Sequence, residues 1–150
     1  MLRSLLTAKP LNLDLGLLIA RVGIGLSMLV FHGWGKMTGG PEKWEALGGS
    51  MATLGLDFAT VFWGFLAMFA EVFGSALLAL GIFFRPAAGM LAGTMVIAVV
   101  MHMSLPEVHP GYGWSKASHA LELLAIYIAL LCTGPGKYRV ALPLGGEKSS

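Results

Sequence analysis

Six ionisable residues lie inside or beside long apolar stretches of this sequence, where such side chains are uncommon. An ionised side chain at the centre of a membrane helix costs about 2.5–3.5 kcal/mol on insertion scales, so it normally faces the protein interior and finds a partner. Carboxylates and imidazoles also exchange protons near neutral pH when their surroundings favour it. These residue types predict a proton-exchanging site. Its catalytic candidates are Arg21, Glu71, Glu122 and His119, and its cofactor-binding candidates are His32 and His102.

The composition indicates that this site is carried by membrane helices. The 150-residue chain is 56% hydrophobic and only 12% charged, and its mean hydropathy is +0.76, whereas a soluble domain has about 25% charged residues. Crossing a bilayer takes about 20 apolar helical residues. We therefore predict an all-α, integral membrane four-helix bundle that forms one domain over residues 1–150. Its spans are expected at about 15–33, 58–84, 87–103 and 116–133, followed by a short tail, 134–150.

The segment between the first and second spans is more polar than the spans. It carries Trp44, Leu47, Met51 and Leu54 at roughly helical spacing. This pattern favours an interfacial helix that lies on the membrane with Trp44 as its anchor. An ordinary loop is the alternative.

The distribution of basic residues predicts the orientation in the membrane. Lys and Arg are enriched in cytoplasmic loops, and they divide six against three between the two sides of the predicted bundle. Both termini are therefore expected in the cytoplasm. The six are Arg3, Lys9, Arg85, Lys137, Arg139 and Lys148, and the three are Lys36, Lys43 and Lys116.

The depths of the charged residues suggest which of them meet. At ~1.5 Å per residue from the cytoplasmic helix ends, Arg21 lies roughly 9–12 Å deep, Glu71 about 18 Å and Glu122 about 15 Å. Arginine binds a carboxylate through two parallel hydrogen bonds, so we expect Arg21 to cluster with Glu71, Glu122 or both. A shared proton, His119 or a bound cation would balance the second carboxylate.

A polar pocket is expected on the outer side of this cluster. His119 and Glu122 are three residues apart and share one face of the fourth helix, while His32 and His102 end the first and third helices on the same side. Alternatively, the buried ion pairs only fix helix register. No metal ligands are assigned, because the spacing of histidines and methionines matches no recognised ligand pattern.

Several functions are disfavoured by the sequence. The single cysteine, Cys132, cannot support a dithiol reaction within one chain. A net charge of +2 gives no indication of nucleic-acid binding. The chain also carries neither a dinucleotide fingerprint nor a set of cysteines for an iron–sulfur cluster, so electrons would have to come from a partner.

Three segments together resemble the DoxX family of small four-helix bacterial membrane proteins. They are "ARVGIGLSMLVFHGWGKM", "AEVFGSALLALGIFFRPAA" and "ELLAIYIALLCTGPGKYRV". The resemblance implies a cytoplasmic-membrane protein of a family often named as oxidoreductases, some of whose members are linked to quinone-reducing thiosulfate oxidation or to oxidative-stress complexes. The family's usual ending, Gly-Pro-Gly-Arg-Tyr-Ser, reads "GPGKYR" here.

Three functions follow as hypotheses. The first is a membrane redox component that acts towards quinone with a partner protein, while the cofactor itself is left open. The second is a protein that binds or transports a small molecule or an ion. The third is an assembly or stability factor for another membrane complex. Each leaves room for a homo-oligomer in the lipid bilayer.

Overall fold

The computed structural model describes residues 11–141, and the regular structure of this part of the chain is entirely helical. Four of its helices are long and apolar enough to cross a membrane, which confirms the all-α membrane fold; the chain is a multi-pass membrane protein. The helices are α1 (Leu13–Thr38), α2 (Gly40–Gly48), α3 (Thr60–Leu80), α4 (Phe84–Ser104) and α5 (Trp114–Thr133). A short 3-10 helix, Gly49–Leu54, follows α2.

Local signals in the sequence explain where these helices begin and end. The Asn12 side chain accepts a hydrogen bond from the Leu15 amide and caps the start of α1. Gly81 ends α3 with φ +75°, a conformation that favours glycine. Pro106 follows the extended residue Leu105 and stops α4. Because Gly81 stops α3, this helix ends before its predicted end at 84. Helix α1 runs five residues past its predicted end at 33.

The spanning helices pack in sequence rather than in a closed ring. The second half of α3 packs on α1, and α4 packs along α5. Leu78, Leu91 and Tyr127 are fully buried in the core between them. The backbones of α1 and α5 make little close contact, so a cleft remains between these two helices. The outer faces are apolar, for example at Ile19 and Phe31, as a lipid environment requires.

Helix α2 lies against the first half of α3. A Cβ atom added to Gly64 would overlap the Trp44 carbonyl, and one added to Gly48 would overlap the Thr60 carbonyl, so the two backbones touch. The Trp44 ring packs edge-on against Phe65. The structure therefore contains a helix where the Trp44 pattern favoured one, rather than a loop.

The bundle has two ends, which we name by the charged residue found at each. The Arg21 end contains the first residue of α1, the last of α3, the first of α4 and the last of α5. The Lys36 end contains α2 and the loop between α4 and α5.

Candidate functional site

Arg21 is buried, but its partners are not the predicted carboxylates. Its guanidinium donates to the carbonyl oxygens of Ala79 at 2.6 Å and Leu78 at 3.4 Å, and also to that of Tyr138. Within residues 11–141 no carboxylate lies at ion-pair distance from Arg21. The predicted cluster with Glu71 and Glu122 is therefore wrong. Carbonyls in the last turn of a helix lack their usual amide donor four residues on; the Leu78 carbonyl accepts from the Gly81 amide, and Arg21 donates to the carbonyls of both Leu78 and Ala79.

The segment after α5 folds back over this end of the bundle. The Lys137 amide donates to Asp14 Oδ1 at 3.0 Å, and the Val140 amide donates to the Leu80 carbonyl at 3.1 Å. A Cβ on Gly81 would lie 2.6 Å from Arg21 Nη1, so glycine leaves room for the guanidinium. Arg21 thus ties α1, α3 and the tail together through backbone atoms.

Glu71 pairs with a lysine instead. Lys36 Nζ lies 2.5 Å from Glu71 Oε1, and the glutamate is 3% exposed while the lysine is 21% exposed. A buried carboxylate requires such a partner, because desolvation of an unpaired charge costs several kcal/mol. The ion pair therefore joins α1 to α3 near the Lys36 end.

Two π-helical turns bring the members of this pair together. Met28–Gly33 forms one in α1, and Ala70–Gly74 forms the other in α3; the two turns pack against each other. A Cβ on Gly33 would lie 3.1 Å from the Glu71 carbonyl oxygen, so glycine allows the close approach. Such turns are frequent at functional sites because they re-aim side chains.

A cavity of about 190 Å³ opens beside the ion pair, and we call it the polar pocket. The three predicted histidines all contribute to it, together with both members of the pair and a second lysine. Glu122 does not: its side chain is exposed on the outer face of α5. The polar pocket is lined by Met28, His32, Lys36, Glu71, Met95, Ala98, His102, Lys116, His119, Ala120 and Leu123.

The histidines occupy defined positions in the polar pocket. The rings of His32 and His119 stack across the cleft between α1 and α5, with centroids 5.4 Å apart and planes inclined by 25°. His102 Nδ1 lies 2.7 Å from the Gly111 carbonyl oxygen. A carbonyl can only accept, so Nδ1 carries the proton, and Nε2 of the neutral ring is an acceptor.

An apolar crevice of about 100 Å³ continues from the polar pocket along the cleft between α1 and α5. Both cavities are lined by Met28, His32, His119 and Leu123, and the crevice adds Gly23, Ile24 and Ser27. A Cβ on Gly23 would meet no atom within 4 Å, so the crevice is open there. Together the polar pocket and the crevice form one site with a polar and an apolar portion.

Three buried polar atoms near this site have no hydrogen-bond partner in the described part of the chain. They are Glu71 Oε2, Ser75 Oγ and Tyr127 Oη. Ser75 is one turn from Glu71 on α3, and the Tyr127 hydroxyl lies within electrostatic range of the Glu71 carboxylate. A polar group without a hydrogen-bond partner raises the free energy of a protein in a bilayer. Water or the polar atoms of a ligand would therefore be bound favourably in the interior beside Glu71.

Two site residues, Lys36 and Lys116, were not among the sequence-based candidates. Both lie within one helical turn of a candidate histidine, Lys36 four residues after His32 and Lys116 three residues before His119. Residues at these spacings share a helix face. This spacing is the feature of the sequence that points to both lysines as members of the site.

The fold and site define a small multi-pass membrane protein with an amphipathic pocket between its helices. The chain belongs to the DoxX family: the family model described as DoxX matches residues 16–103, more than half of its 150 residues. The match includes Arg21, Lys36, Glu71 and His102. Comparisons with curated proteins and with solved structures give no match.

Proposed function

We propose that the site between α1 and α5 binds a quinone and supplies protons for its reduction, with electrons delivered by a partner redox protein. The observation that supports this is the continuity of the polar pocket with the apolar crevice. A quinone has the same division, because it joins a polar ring to a hydrocarbon tail. The tail would lie in the crevice beside Gly23, and the ring among the histidines and lysines.

The chemistry assigned to the chain is proton supply. Reduction of a quinone to a quinol takes two electrons, which come from the partner, and two protons, one for each oxygen. Lysine ammonium groups and histidine N–H groups donate hydrogen bonds to quinone oxygens, and His32 or His119 transfers a proton as charge develops there. His32 and His119 are exposed at the surface of the bundle towards its Lys36 end, where we expect water at the membrane surface to reprotonate them.

Binding of quinones of two tail lengths tests this proposal. Purified protein in lipid nanodiscs is titrated with a quinone that carries only the ring and with one that carries a ten-carbon tail, and calorimetry gives the Kd of each. Lys36→Met combined with Glu71→Gln is expected to abolish binding of both, because the polar pocket loses both members of its ion pair. Binding by this double variant at wild-type affinity would refute the proposal.

Gly23→Leu tests the crevice separately. The added side chain enters open space, so the fold is retained while the position of the tail is filled. Affinity for the tailed quinone is expected to fall about 10-fold or more, since each buried methylene contributes about 0.8 kcal/mol, and affinity for the ring alone is expected to hold. Gly89→Leu is the matched control, because Gly89 is exposed on α4 and also faces open space.

The proposal includes a location and an orientation. We place the protein in a bacterial inner membrane with both termini in the cytoplasm, on the excess of Lys and Arg at the Arg21 end and in the tails. The polar pocket then opens towards the outside. A C-terminal reporter that is active only outside the cell would contradict this orientation.

Binding or transport of a small anion is the second candidate. The polar pocket is lined by two lysines and three histidines against one glutamate, which favours a negatively charged solute. Uptake of labelled sulfate into proteoliposomes, lost in Lys116→Met, would support this function over quinone reduction. Quinone binding without any sulfate uptake would exclude it.

A further inference from the structure

A third cavity, of about 270 Å³, lies between α3 and α4 beneath α2; we call it the α3/α4 groove. Its lining is almost entirely apolar and includes Met51, Ala67, Ala70, Met90 and Ile97. The one hydroxyl in the lining, that of Thr94, donates to the backbone carbonyl of Met90. The groove shares no lining residue with the polar pocket.

The groove follows the membrane-spanning part of α3. It starts near Trp63, in the first turn of the helix, and continues to Ala70, a distance of about 10 Å along the axis. The Trp63 end of the groove, which we call its mouth, thus lies at the start of a candidate span, where we expect the bilayer surface, and the Ala70 end, its inner end, lies where we expect hydrocarbon. A cavity of this form matches one hydrocarbon chain of a lipid from the surrounding bilayer.

Trp63 provides a polar group at the mouth of the groove. Its ring lines the groove and packs edge-on against Phe58 and Phe62, which offer no acceptor. Its Nε1–H is buried and has no partner among the described residues. A buried donor without a partner costs about 1–3 kcal/mol, so an occupant with an acceptor at this level would be favoured.

We propose that the α3/α4 groove binds one acyl chain of an ester-linked membrane phospholipid, whose ester carbonyl accepts a hydrogen bond from Trp63 Nε1. The carbonyl of such a lipid lies at the boundary between head group and hydrocarbon, at the level of the first turn of α3. An isoprenoid tail has no acceptor at that level, which argues against a quinone tail in the groove.

The inner end of the groove places this lipid behind the ion pair. Ala70 lines the groove, and the next residue, Glu71, lines the polar pocket; both belong to the π-helical turn Ala70–Gly74. A bound chain packs against the back of this turn and fills space that would otherwise be empty. The lipid is thus a structural ligand of the turn that carries Glu71.

A comparison of ester and ether lipids separates the contribution of the hydrogen bond to lipid binding from the contribution of the apolar contacts. Detergent-purified protein is loaded with diester phosphatidylcholine or with the dialkyl ether analogue of the same chain length, and native mass spectrometry measures the lipid retained. We expect wild type to prefer the ester by about 2- to 10-fold, the contribution of one hydrogen bond. Trp63→Phe is expected to remove this preference while it still binds both lipids.

Ala67→Phe fills the groove and is expected to lose retention of both lipids. Ala129→Phe, at an exposed position of α5, adds the same volume elsewhere and should retain lipid as wild type does. Equal retention of the two lipids by wild type would overturn the proposal, as would displacement of the ester lipid by a tailed quinone. Because these readouts measure phospholipid alone, they fail or succeed independently of quinone binding in the cleft between α1 and α5.

Discussion

The two ends of the bundle each bury a charged side chain, but they satisfy it in different ways. Arg21 is 1% exposed and donates to three backbone carbonyls. Glu71 is 3% exposed and pairs with Lys36 through one oxygen; its other oxygen, like Arg21 Nε, has no hydrogen-bond partner within residues 11–141. Backbone carbonyls cannot change protonation state, whereas carboxylates and imidazoles can. The difference favours a structural role for the Arg21 end, and it supports the proposal that protons are exchanged at the Lys36 end.

The largest expected effect is on stability at the Arg21 end. Arg21→Met removes the charged donor from the carbonyls of Leu78, Ala79 and Tyr138, although Leu78 keeps its bond from the Gly81 amide, and hydrogen bonds from charged groups contribute about 1.5–3 kcal/mol each. We expect a loss of about 3–5 kcal/mol, because such contributions do not add fully. Unfolding in a denaturing detergent, followed by circular dichroism, measures it. If the Arg21→Met variant were as stable as wild type but no longer bound quinone, Arg21 would belong to the binding site and not to the structural framework.

At the Lys36 end, removal of one member of the Lys36–Glu71 ion pair is expected to destabilise the protein more than removal of both members. Lys36→Met leaves the buried Glu71 carboxylate without its ion-pair partner and should destabilise the protein by about 2–3 kcal/mol. Adding Glu71→Gln removes this unpaired charge and should restore most of the lost stability. The double variant is still expected not to bind quinone. The same unfolding assay gives the energies. A double variant as unstable as Lys36→Met alone would show that the pair is not an isolated unit.

A backbone change at the Arg21 end sharpens the contrast without touching a charge. Gly81→Ala places a Cβ 2.6 Å from Arg21 Nη1 at a residue with φ +75°, and we expect a loss of about 1–3 kcal/mol. Gly23→Ala is the control, because its Cβ meets open space. Thermal unfolding compares the two. Affinity for quinone should be unchanged in the Gly81 variant at temperatures where it remains folded.

The smallest effect is expected at Glu122, which lies outside both regions. Its side chain is exposed and does not line the polar pocket, so Glu122→Gln should change stability by about 0.5 kcal/mol or less, as exposed substitutions usually do. Quinone affinity should equal that of wild type. A loss of affinity in this variant would return Glu122 to the site that the sequence predicted for it.

The number and type of the spanning helices could be predicted from the sequence because the length of each apolar segment determines them. The three histidines could be placed in one pocket because each lies near the same end of its helix. The partner of Arg21 could not, because depths counted from the helix ends do not show how far one helix is displaced along another. In the structure Gly33 packs on Glu71, about 18 Å along α1 from Arg21, so Lys36 rather than Arg21 reaches Glu71.

The contact of Gly48 and Gly64 with the facing backbones has a consequence for how ligands are exchanged. Where two main chains touch without side chains between them, neither helix can lift or roll without losing the contact along its length. We therefore expect α2 to move with α3 as a rigid unit, not as a lid. The α3/α4 groove then fills and empties sideways, by diffusion of lipid in the plane of the membrane, and its occupancy follows the composition of the surrounding bilayer.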